Sequence, residues 1–124
     1  MKESRIPQFT GVHIVADFWF PKDIENVKQL KRLLLRAAKE ANSTPLEISL
    51  HTFSPHGLTG VVLVAESHIA IHTWPEINYM ALDIFTCGKN VKPNKALEFL
   101  KRELKPKKVF VQKLKRGMTA NEFP

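Results

Sequence analysis

Two stretches of this chain are amphipathic at helical spacing, and most of the remainder reads as short extended segments. Ile24, Val27, Leu30, Leu34, Ala37 and Ala41 recur at three- and four-residue steps, with Lys28, Lys31, Arg32, Lys39 and Glu40 between them. Pro21 and Asp23 open this helix, Asp23 is its expected N-cap, and Asn42 is its expected stop. The second helix is expected over Pro93–Leu104, with Leu97, Leu100 and Leu104 turned inward. Residues 12–20, 46–53, 61–65, 67–73, 79–86 and 109–114 read as strands, with turns at Pro55–Gly57 and at Pro75. The run 61–65 is apolar on both faces, as in a central strand. A helix with a single apolar stripe must cover something, and here that is a sheet. The expected fold is therefore α+β: a two-layer α/β sandwich whose largely antiparallel sheet carries helices on one face. Its other face needs cover, and dimerisation is the expected answer.

With 124 residues and 14.2 kDa, residues 1–124 form one domain, able to bury about two-thirds of the unfolded surface without staples. A 44% hydrophobic and 25% charged composition excludes wholesale disorder. Cys87 is the only cysteine, so there is no intrachain disulfide and no multi-cysteine zinc site. Residues 1–11 lack an apolar signal-peptide core, and no run approaches the roughly 18 apolar residues of a membrane span. A cytoplasmic setting with no membrane contact is expected. The net charge of +7 is uneven, because eleven of the nineteen Lys and Arg residues lie between Lys89 and Arg116. Such a basic half is compatible with a nucleic-acid-binding module. Single-strand platforms interleave aromatics with basic residues, however, and here Phe99 and Phe110 both fit core positions. A solvated helix face and an edge strand explain the charge better, so no nucleic-acid partner is expected.

Four of the five histidines fall between His51 and His72, which raises a metal site. On a strand, His68 and His72 share a face but stand roughly 13 Å apart, too far to share one ion. There is no His-Glu-x-x-His pattern, and no metal is expected. Ser67 lacks the glycines of a nucleophile elbow, and no glycine-rich phosphate loop is present. Taken alone, Cys87 reads as a small buried hydrophobe at a strand end. The anomaly is Glu66-Ser67-His68, three polar residues interrupting an apolar hairpin, where burial is costly unless partners are supplied.

The run Glu66-Ser67-His68-Ile69-x-Ile71-His72-Thr73-Trp74-Pro75-Glu76 resembles the self-processing site of the prokaryotic S-adenosylmethionine decarboxylases. The resemblance extends to Ser54-Pro55-His56-Gly57-Leu58-Thr59-Gly60 before it and Phe85-Thr86-Cys87-Gly88 after it. It implies a proenzyme cut between Glu66 and Ser67 into residues 1–66, the β chain, and 67–124, the α chain. Ser67 Oγ would attack the Glu66 carbonyl, and elimination from the resulting ester followed by hydrolysis would leave a pyruvoyl group at residue 67. A serine hydroxyl needs a base and a strained peptide for this work. The resemblance gives the elimination base as His72. At Thr59 the family usually has a serine that assists the acyl shift; threonine keeps the oxygen but adds a methyl and stiffens χ1. The pyruvoyl ketone, formed from Ser67 in place of pyridoxal phosphate, would form a Schiff base with the substrate amine and withdraw the electrons left by CO₂. Cys87 would then protonate the product, as a thiol with an ordinary pKa near 8.5 can at neutral pH.

The same resemblance implies that Phe53 and Trp74 flank the adenine, that Glu76 holds the ribose hydroxyls, and that two protomers pair with active sites near their interface. The positive net charge would oppose a sulfonium substrate slightly, and aromatic faces offset this by roughly 0.5–2 kcal/mol. The expected function is pyruvoyl-dependent decarboxylation of S-adenosylmethionine to the aminopropyl donor of polyamine synthesis. Three alternatives remain open: an arginine or ornithine decarboxylase of the same chemistry, a nucleic-acid-binding module that never processes, and an inactive subunit that pairs with an active one.

Overall fold

Short β-branched and aromatic segments build one sheet, and two amphipathic segments close one of its faces. The computed structural model describes residues 11–65, 67–88 and 90–117. Its strands are β1 (Gly11–Trp19), β2 (Pro45–Thr52), β3 (Leu58–Val64), β4 (Ser67–Trp74), β5 (Tyr79–Cys87) and β6 (Lys108–Arg116). They pair antiparallel throughout, in the order β2-β3-β4-β5-β1-β6. Helix α1 (Val27–Glu40) packs over β2, β3 and β4, while α2 (Pro93–Leu104) packs over β5 and against α1. This is the two-layer α+β arrangement that the helix stripes require.

The period-two alternation of a strand divides the residues between the layers. On β1, Ile14, Ala16 and Phe18 are buried under the helices, leaving His13, Val15, Asp17 and Trp19 on the open face. On β5, Met80, Leu82, Ile84 and Thr86 are buried, and Tyr79, Ala81, Asp83, Phe85 and Cys87 face the other way. Leu30, Leu33, Leu34, Ala37 and Ala38 form the buried stripe of α1. This helix sits so close to β3 that a Cβ on Gly60 would lie 2.7 Å from Leu34 Cδ1 and 2.8 Å from Leu30 Cδ2. Glycine is needed there for the approach of two layers.

Three local expectations change. The N-cap of α1 is Asn26, not Asp23: its backbone is extended, and its side chain accepts from Gln29 N at 2.9 Å. Gln29 Oε1 in turn accepts from Glu25 N, a reciprocal arrangement that outcompetes a cap three residues earlier. Ile24 still reaches the core, but from the loop before the helix. Phe110 is 62% exposed on the edge strand β6, not in the core, since alternation turns it to the open face beyond the reach of α2. The apolar run in β3 is covered on one side only, with Leu63 44% exposed on the open face. Leu46 is likewise exposed, because β2 is an edge strand with a register shift between Pro45 and Glu47. The expected stop of α1 holds, Asn42 adopting the left-handed conformation that ends helices. No helix among the described residues is long and apolar enough to cross a membrane.

Candidate active site

Ser67 and His68 open strand β4, whose polar residues lie in register with β3 and β5 and fall into two groups at opposite ends of the strand. At the far end, His72 is paired with Thr59 across β3, and Thr59 Oγ1 lies 3.0 Å from His72 Nδ1. The turn between β2 and β3 folds back onto this end. Phe53 N donates to Gly57 O at 2.8 Å, and Leu58 N donates to Thr73 Oγ1 at 2.9 Å. Gly57 has φ +103, a conformation that favours glycine, and a Cβ there would meet Thr73 O at 3.0 Å. The result is a cleft of about 430 Å³ lined by Phe53, His56, Thr59, His72, Trp74 and Glu76, among others. Phe53 and Trp74 are half-exposed, with ring faces available to a flat ligand. Glu76 lies in the 3-10 turn Pro75–Ile77 that follows β4.

An aromatic rung continues this end across the open face. Trp74, Tyr79 and Trp19 are register partners on β4, β5 and β1, with ring centroids 5.3 Å and 4.6 Å apart. The Tyr79 hydroxyl donates to Asp17 Oδ1 at 2.6 Å. Burial, with the neighbouring Asp17 carboxylate, pushes the Tyr79 phenol up to about 12.

Ser67 opens β4 at the other end. Its Oγ lies 3.4 Å from Nδ1 of His68, and His68, Phe85 and His13 form a second rung across β4, β5 and β1. His13 Nε2 contacts Asp83 Oδ1, and Arg116 Nη1 lies 2.9 Å from His13 Nδ1. A guanidinium only donates, so Nδ1 is the acceptor and the proton sits on Nε2, pointing at Asp83. Cys87 is two steps beyond the His68–Phe85 pair, a free thiol against Gly11, where a Cβ would stand 2.7 Å from its sulfur. Thr86 is buried here with a hydroxyl that has no partner among the described residues. Glu66 lies outside the described residues.

Five expected site residues, Phe53, Thr59, His72, Trp74 and Glu76, thus line one cleft, while Ser67 and Cys87 share the opposite end of the sheet. Ser67 and His72 are five positions apart along one strand, roughly 16 Å. One chain does not bring the two groups together. Sequence reasoning also missed His13, Asp83 and Arg116, which strand pairing brings to His68 from 15 to 55 positions away. The available signal was a polar residue flanked by apolar neighbours in each of two strands, Val12-His13-Ile14 and Leu82-Asp83-Ile84. Ligand atoms of His13, His68 and Asp83 all lie within 4.8 Å of one another. A second cavity, about 500 Å³ between β1 and β6, is lined by Val15, Asp17, Phe110 and Gln112 and holds none of the expected site residues.

Residues 12–117 match the family model described as S-adenosylmethionine decarboxylase. The chain is 47% identical over 111 residues to the S-adenosylmethionine decarboxylase proenzyme of Sulfurihydrogenibium sp. strain YO3AOP1, covering 87% of this chain and 83% of that one. It is 42% identical to the proenzyme of the same name from Carboxydothermus hydrogenoformans, covering 91% of each. Among solved structures, the adenosylmethionine decarboxylase of Aquifex aeolicus VF5 superposes with a TM-score of 0.85 at 38% identity, over 95% of this chain and 99% of that one. With a family model matching residues 12–117, relatives 42–47% identical over most of the chain and a solved structure superposing over 95% of it, this chain belongs to the S-adenosylmethionine decarboxylase family.

Proposed function

We propose that this protein is a self-processing decarboxylase of S-adenosylmethionine, cut between Glu66 and Ser67 into residues 1–66 and 67–124, and that it works as a homodimer. The observation that carries the reading is the cleft in which Phe53, Trp74, Glu76 and the Thr59–His72 pair converge. Two half-exposed aromatic faces suit a purine and an adjacent sulfonium cation. The carboxylate of Glu76 can accept two hydroxyl protons of a ribose. His72, hydrogen-bonded to Thr59, is a base with a fixed ring orientation.

Ser67 and Cys87 fit the group that the family uses: a serine at a strand start beside a ring nitrogen, and a free thiol close by. A pyruvoyl group formed from Ser67 would supply the electron sink for loss of CO₂. Cys87 would hold the proton delivered to the product. Its need for a reduced thiol supports a reducing, cytoplasmic setting.

The separation of the two groups supports the homodimer. The open face carries Val61, Leu63, Ala70, Ala81 and Phe110, with no helix over them among the described residues. Two such faces packed about a two-fold axis that crosses the strands would bring the Ser67 end of one copy over the His72 end of the other. Each dimer would then hold two composite sites.

Intact-mass analysis of the purified chain tests the processing. Two fragments of about 7.6 and 6.6 kDa by length are expected, the smaller with a blocked amino terminus. The processed protein should release CO₂ from carboxyl-labelled S-adenosylmethionine, and not from arginine or ornithine. A persistent 14.2 kDa species, or release from arginine alone, would overturn the reading.

A further inference from the structure

We propose that His68 is the base for the first step of self-cleavage, the attack of Ser67 on its own peptide bond, and that His13, Asp83 and Arg116 hold it for that task. The inference rests on the proposed function and adds a division of labour between two histidines. His72 lies roughly 16 Å along the strand from Ser67 and is engaged by Thr59. Among the described residues, His68 is the titratable side chain in hydrogen-bonding reach of Ser67, its Nδ1 3.4 Å from Oγ. Such contacts commonly tighten in the reacting geometry.

The surroundings of His68 match the role. The His13 ring stands edge-on to it, at 83° and 6.2 Å between centroids, and Phe85 packs between the two strands. An Asp83 oxygen lies within 4.8 Å of a His68 ring nitrogen, close enough to stabilise a developing imidazolium. Arg116 fixes the His13 tautomer, so His13 donates to Asp83 and holds that carboxylate in place. The guanidinium also disfavours a bound cation, the other occupant that two imidazoles and a carboxylate would suit.

The step balances within the chain. As Oγ bonds to the Glu66 carbonyl carbon, its proton passes to His68 Nδ1 and the carbonyl π pair moves to oxygen. When that pair returns, the C–N bond breaks, its electrons go to the Ser67 nitrogen, and the imidazolium returns the proton there. An amide has become an ester with a free amine, and His68 is neutral again. Elimination from that ester is the separate task of His72.

The test compares newly made wild-type, His68→Ala, His68→Asn and His72→Ala chains, each checked for wild-type circular dichroism, with and without hydroxylamine, which cleaves esters and spares amides. His68→Ala and the near-isosteric His68→Asn should cleave about 10²-fold more slowly. They should yield no hydroxylamine-released fragments, whereas His72→Ala should accumulate the ester and release them. Added imidazole should restore part of the His68→Ala rate, which a merely structural role would not allow. Asp83→Asn should slow cleavage less than either His68 variant. Overturning results are a His68→Asn rate within twofold of wild type, ester accumulation in the His68 variants, or loss of wild-type cleavage on chelation, which would assign the cluster to a cation. A wild-type chain that never cleaves overturns the proposed function, and this inference with it.

Discussion

The open face carries two rungs built to one plan, and they serve different chemistry. Each crosses β4, β5 and β1: Trp74–Tyr79–Trp19 at one end, His68–Phe85–His13 at the other. Each has an aspartate beside it, Asp17 bonded to Tyr79 and Asp83 bonded to His13. At the first rung burial and the adjacent carboxylate together raise the pKa of a phenol, leaving an uncharged wall suited to a flat ligand. At the second it meets imidazoles, groups able to carry a proton near neutral pH. The backbone supplies the same spacing at both ends. The side chains alone decide whether that spacing recognises a ring or moves a proton.

The sharpest test of this contrast is complementation between chains. Ser67→Ala and His72→Ala should each stay uncut alone. Mixed during synthesis, they should yield cleavage of the His72→Ala chain only, because its Ser67 meets a partner's His72. Cleavage of neither chain in verified mixed dimers would place both groups in one protomer and break the comparison.

A second test acts on the cleft end alone. Thr59→Val removes the hydroxyl held 3.0 Å from His72 and should slow self-cleavage by roughly 10²-fold, whereas Thr59→Ser should retain the rate. Fragment mass against time reads both. A Val variant that cleaves like wild type would show that His72 needs no orientation from Thr59.

At the Ser67 end, Gly11→Ala places a Cβ 2.6 Å from Thr86 O and 2.7 Å from Cys87 Sγ. The strand must shift, at a cost of about 1–3 kcal/mol. Turnover should fall while self-cleavage proceeds, since the thiol is displaced and His68 is not. Denaturant midpoint and CO₂ release measure the two effects separately.

The smallest effect concerns the aromatic rung. Tyr79 is the only tyrosine, so alkaline absorbance reports it alone, with a midpoint expected near 12 rather than 10. A phenol whose pKa is raised on folding adds stability that is complete below pH 10 and lost as pH climbs to 12. Tyr79→Phe should therefore lower stability by about 1 kcal/mol at neutral pH and lack that alkaline loss. A midpoint at 10 in the wild type would remove the distinction drawn between the two aspartates.

Much of this architecture was legible along the chain because its causes are local. The α2 helix matches its expected bounds, since Pro93 starts it and the Leu97, Leu100 and Leu104 stripe has one consistent phase. The start of α1 was misread because Asp23 and Asn26 are both good caps, and the bond from Gln29 N that decides between them is visible only in space. Phe110 was misread because apolar content predicts burial only where a second layer extends over the residue.

By itself, the sequence determined the two helix stripes, the period-two strands, the cysteine left as a free thiol, and the motif from Glu66 to Glu76 that marks the family. Periodicity and motif spacing are carried by neighbours along the chain, and they survive without coordinates. Only the tertiary structure decided that Thr59 meets His72, that His13, Asp83 and Arg116 gather around His68, and that Ser67 stands at the opposite end of the sheet from the cleft. Those relations depend on strand register, which is set by burying one face of every strand at once, a condition that no segment satisfies alone.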